Sequence, residues 1–88
     1  MKKIVSIIRP FQKEQTVMVY EDGNKIDIMQ GSLDELGTVI YSLSQKHEVS
    51  RVDLAGPKRF LAGIKEQLDT DFIQKKFDLK YPIEINII

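Results

Sequence analysis

Ile4-Val5-Ser6-Ile7-Ile8 is a nearly continuous apolar run rich in β-branched residues. That pattern predicts a central strand buried on both faces. A polar connection from Arg9 to Gln15 follows, with Pro10 near its start. Thr16-Val17-Met18-Val19-Tyr20 predicts a second strand, and Asp22-Gly23-Asn24 a tight hairpin turn with positive φ. Ile26 and Ile28 flank Asp27, which predicts a third strand with one buried face. The pattern then changes period. Ser32 and Glu35 have capping-box spacing. Leu33, Leu36, Ile40, Leu43 and His47 recur at three and four residues, the apolar stripe of an amphipathic helix. Gly37 lies within it and marks a close approach to the sheet. Arg51-Val52-Asp53-Leu54-Ala55 predicts a short strand. Gly56-Pro57 opens a second helix with the stripe Phe60, Leu61, Ile64 and Leu68. Asp69-Thr70-Asp71 predicts a break, with Thr70 capping a short third helix around Phe72 to Phe77. After Pro82, Ile83, Ile85 and Ile87 alternate with polar residues as a one-sided strand.

The order β-β-β-α-β-α-β predicts a single α/β domain over residues 1–88, in two or three layers, with two or three helices. A right-handed crossover after the third strand gives a five-stranded mixed sheet of order 3-2-1-4-5, with the first strand central. In element order, from Ile4 to Ile88, the chain resembles the ribonuclease H-like and actin-like fold. Nucleases of that fold hold two divalent metals with carboxylates on the first strand, the first helix and near the fourth strand. The resemblance therefore implies Glu35 and Asp53 as two of the ligands, but the first strand carries no acid. Actin-like ATPases place glycine-rich phosphate loops after the first strand and in the first hairpin. Here that hairpin, Arg9 to Lys13, has no glycine. The catalytic motifs of both branches are missing, so no enzyme activity, no metal and no cofactor is expected.

The residues of those motifs have local roles instead. Glu35 completes the capping box, and Asp53 partners Arg51 or a backbone group. His47 is a packed or capping histidine near a helix C-terminus. The serines lack the second base that a triad requires. With no cysteine, the chain has no disulfides, thiolate metal sites or cysteine nucleophiles.

Charge changes the picture in one place. Thirteen basic and thirteen acidic residues cancel, which argues against a protein that coats DNA or a membrane surface by excess positive charge. The longest apolar run near the start is too short for a signal peptide or membrane span, so the expected compartment is the cytoplasm. Twelve isoleucines against two alanines, and ten lysines against three arginines, suggest an AT-rich coding sequence of a low-GC bacterium or its phage. Within this neutral chain, Gly56-Pro57-Lys58-Arg59 sets basic side chains beside the free amides of a helix N-terminus. The first and fourth strands are predicted parallel neighbours, so Arg9 and Lys13 should open on the same sheet edge as Lys58 and Arg59, where ligands of open α/β sheets bind. Phe11 lies in the same loop, either anchored in the core or available to stack on a base.

Three functions follow as expectations, the last in rank being a vestigial nuclease or ATPase subunit completed by a partner chain. The first is a non-catalytic module acting through protein contacts, with itself or another protein, including as a homodimer. Its interface would be the last strand or the adjacent helix, the last strand being less guarded by charge than the third strand with Lys25 and Asp27. The alternative is a binder of phosphate ligands or nucleic acid through Arg9, Lys13, Lys58 and Arg59.

Overall fold

The computed structural model describes residues 1–73 and 77–88. The elements are β1 (Lys2–Ile7), β2 (Gln15–Glu21), β3 (Asn24–Gly31), α1 (Leu36–His47), β4 (Arg51–Ala55), α2 (Lys58–Ile73) and β5 (Glu84–Ile87). A single 3-10 turn, Leu33–Glu35, leads into α1. The sheet has the expected order β3-β2-β1-β4-β5. The β1–β2 and β2–β3 pairs are antiparallel, and the β1–β4 and β4–β5 pairs are parallel. Asp22 and Gly23 both have positive φ, as a two-residue hairpin turn of Asp-Gly type requires.

Strand order decides the layering. The β3-to-β4 and β4-to-β5 connections both step in the same direction across the sheet. Two right-handed crossovers stepping the same way put their helices on the same face. The fold is therefore two-layered. Leu36, Val39, Ile40 and Leu43 of α1 and Leu61, Leu68 and Phe72 of α2 pack on Ile4, Val17, Val19, Val52, Leu54 and Ile85 of the sheet. β1 is not buried on both faces as its apolar run suggested. Ile4 and Ser6 are fully buried under the helices, while Val5 and Ile7 are half-buried on the uncovered face. Met18 and Tyr20 are half-buried beside them, and Ile28 is exposed.

Three further expectations change. Leu33 lies in the 3-10 turn and is exposed, so the α1 stripe begins at Leu36. A side chain at Gly37 would meet Leu68 and Phe77 at 3.6 Å, so the close approach is to these side chains, not the sheet. Asp69-Thr70-Asp71 does not break α2. Lys65 pairs with Asp69, and Gln67 donates to Asp71, each four residues apart on the helix surface. These contacts outweigh the turn preference of the aspartates and carry the helix to Ile73. Of the expected third helix, residues 74–76 lie outside the described residues, and Phe77 is not helical. Phe77 stacks on Tyr41, with ring centroids 4.9 Å apart. The Tyr41 hydroxyl donates to the Asp78 carbonyl, and the Lys80 amide donates to Gln45. The chain is thereby tied along α1 before it enters β5.

Ser6 is fully buried on the helix-covered face, and its hydroxyl has no partner among the described residues. A buried unsatisfied polar group costs about 1–3 kcal/mol. Ser6→Ala is expected to raise the unfolding free energy by about 1 kcal/mol, read from the midpoint of urea denaturation.

Candidate nucleic-acid interface

The C-terminal ends of β1 and β4 meet at one sheet edge. The Ile8 amide donates to the Ala55 carbonyl at 2.8 Å. At Gly56, φ is +147°, and a Cβ there would lie 2.6 Å from the Ile8 carbonyl oxygen. Only glycine lets the chain leave β4 this close to β1. The start of α2 is thereby set beside the loop that follows β1.

That loop is held from within by Gln15, which is 1% exposed. Its Oε1 accepts from the Arg9 amide, and its Nε2 donates to the carbonyls of Arg9 and Gln12 at 2.8 and 3.1 Å. The side-chain amide acts as an extra peptide group and satisfies loop backbone that would otherwise be orphaned. Sequence reasoning assigned Gln15 to the polar connection. The available signal was its inward alternation with Val17 and Val19.

The contacts of Ile8 with Ala55 and Gly56, and of Phe11 with Phe60, set the loop after β1 beside the start of α2. Arg9 and Lys13 lie on the clamped loop, and Lys58 and Arg59 open α2. All four are exposed, and among the described residues none is in a salt bridge. The first turn of α2 has no acid, and Glu14 is the acid in the loop. Phe11 is not anchored in the core. It is 88% exposed and meets Phe60 edge to face, with centroids 6.3 Å apart and planes at 87°. The Arg59 guanidinium carbon lies 4.9 Å from the Phe60 ring centroid. The edge thus combines two aromatic rings with four cations.

The residues tied to catalysis are placed for local structure. The Glu35 carboxylate accepts from the Ser32 amide at 3.0 Å, and these bonds to Ser32 hold its pKa below the ordinary value. Asp53 pairs with Val5 and Asn86 in the ladder and so lies on the uncovered face, where it accepts from Arg51 Nε at 3.1 Å. Lys3 adds a second cation at 3.9 Å. Glu35 leads into the helix layer on the other face, so the two carboxylates do not meet. Among the described residues, no group of three or more His, Asp or Glu side chains is placed to hold a metal. No helix of the described residues is long and apolar enough to cross a membrane.

His47 pairs through Nε2 with Asp27 Oδ2 at 2.7 Å, and Lys46 adds a contact at 3.1 Å. The other oxygen of Asp27 accepts from the Ile28 amide at 2.8 Å. Asp27 therefore guards the β3 edge by capping an amide there, as well as by its charge.

No protein-family model, curated protein or solved structure matches this chain. The ribonuclease H-like resemblance therefore rests on element order alone.

The bonds from His47, Ile28 and Lys46 hold Asp27 at a pKa of about 2, below its ordinary 3.8. A depressed carboxylate pKa contributes stability above the unfolded value that is lost as pH falls through the folded one. The stability difference between the wild type and Asp27→Asn is expected to shrink as pH falls from about 4 to about 2. Denaturant titrations across that range would measure it.

Proposed function

We propose that the protein is a non-catalytic binding module that docks the phosphate backbone of a nucleic acid on the C-terminal edge of its sheet. The observation that supports the reading is that Arg9 and Lys13, on the loop after β1, and Lys58 and Arg59, at the adjoining start of α2, are exposed and in no salt bridge among the described residues of a neutral chain. A single buried anion would favour cations converging on one enclosed point. Exposed cations spread along an edge suit a repeating charge. Phosphate contacts are sequence-independent and release counterions, so affinity must fall with salt. With three or four phosphates engaged, log K against log salt is expected to slope at about −2 to −3 for a single strand. Lys58→Ala and Arg9→Ala should each weaken binding at all sequences and flatten that slope by about 0.7. Fluorescence anisotropy over a salt series reads both. Salt-independent binding, or none, removes the reading.

A second reading, association with another copy of this chain, is favoured by β5. Its Glu84 and Ile88 amides donate toward β4, to the carbonyls of Ser50 and Leu54. The main-chain groups of Ile85 and Ile87 therefore face outward. Antiparallel self-pairing centred on Ile85 sets Ile83 opposite Ile87 and Glu84 opposite Asn86, with no like charges opposed. Sedimentation at tens of micromolar is expected to give a dimer that Ile87→Lys converts to a monomer. A monomeric wild type at that concentration removes this reading.

A further inference from the structure

Phe11 is the residue at this edge for which folding supplies no reason. An apolar ring gains from leaving water, yet this one stays 88% exposed, with Phe60 as its ring neighbour. Its exposure is not the exposure of a loose loop. Pro10 fixes the backbone immediately before it. Gln15, itself buried, bonds the chain at Arg9 and at Gln12, one residue on either side of the Pro10-Phe11 pair. The ring is presented on a held support. The edge-to-face contact with Phe60 leaves ring surface open to a flat partner.

We infer that Phe11 is a stacking platform for an unpaired base, so that the ligand of this edge is single-stranded nucleic acid. The inference rests on the backbone docking proposed above and adds the base to it. Arg9 and Lys13 each stand two residues from Phe11, within about 7 Å along the chain. Cations two residues before and two residues after the ring in the chain suit a base linked to its own phosphates. Lys58 and Arg59 extend the charge onto α2, and Phe60 backs the ring from there. A duplex does not fit, because its bases are already stacked and offer only their edges. A ring meets a base face where the strand is single. A protein partner would have to set anions around a flat apolar contact to avoid burying these cations unpaired. A nucleotide strand carries that combination in every residue. Stacking on a lone phenylalanine is tolerant of base identity, so little sequence preference is expected.

The test compares fluorescein-labelled oligo(dT) of about twelve nucleotides with an abasic oligomer of equal length and charge. The wild type is expected to bind oligo(dT) about 5- to 150-fold more tightly than the abasic strand, the range for one stacked base. Phe11→Ala should abolish that preference and leave abasic affinity and its salt slope unchanged. Phe11→Trp should retain or increase the preference. Because Phe11 has no place in the core, Phe11→Ala should melt with the wild type, which circular dichroism verifies. Equal, salt-dependent affinity of the wild type for both strands overturns the stacking platform while leaving backbone docking in place. A base preference that survives Phe11→Ala also overturns it. Failure of the wild type to bind either strand overturns the platform and the docking together.

Discussion

The parallel pairing of β1 with β4 is the contact on which the rest of the molecule depends. Ile4, Ser6 and their neighbours meet Val52 to Ala55 across the ladder, joining a meander to a helical half far away in sequence. Loop closure on that scale must be repaid by burial. Ile4, Val52 and Leu54 supply it, all with no exposed surface. The pairing makes β1 central and sends both crossovers the same way across the sheet, which leaves one face uncovered. It also brings the loop after β1 against the start of α2, with Gly56 admitting the close approach to Ile8. Without this pairing the four cations would belong to a loop and a helix start with no connection to each other.

Much of the fold was legible because local signals agreed with the global arrangement. Period-two and period-3.6 patterns marked the strands and helices, and Asp-Gly marked the hairpin. Element order with crossover handedness was enough for the sheet order. The same handedness rule also contained the layering. An apolar run such as Ile4 to Ile8 reads as buried on both faces whether or not a second helix layer exists. Run length reports hydrophobicity, and only topology reports what covers it. The extent of α2 was hidden for a related reason. Asp69 and Asp71 look like helix breakers by propensity, but Lys65 and Gln67 one turn earlier give them helical partners.

The candidate site was legible in its charges and hidden in its support. Arg9, Lys13, Lys58 and Arg59 follow from strand ends and need no side-chain knowledge. Gln15 does need it. A buried glutamine is unfavourable until three hydrogen bonds satisfy it, and those partners are the backbone of a loop whose shape the glutamine itself sets. Phe11 shows the same circularity from the other side. Composition favours burying a phenylalanine, and only the clamped path of the loop decides that this one points to solvent.

Net charge is a poor guide to this molecule because several of its thirteen acids are engaged locally. Asp27 serves His47, Lys46 and the Ile28 amide, and Glu35 serves the Ser32 backbone. Asp53 lies under Arg51 and Lys3, and Asp69 holds Lys65. Asp22 meets the N-terminal ammonium, and Glu21 lies near Lys2. These pairs sit in the hairpin, on the uncovered face, at the β3 edge and along α2. The cations at the C-terminal edge are outside all of them. Charges paired within a few ångströms contribute little beyond a Debye length of about 8 Å in physiological salt. Among the described residues, Arg9, Lys13, Lys58 and Arg59 enter none of these ion pairs, and Glu14 is the acid in their loop. A chain whose totals cancel can still present a positive field at one edge, because neutrality is a property of the sum and binding is a property of the place.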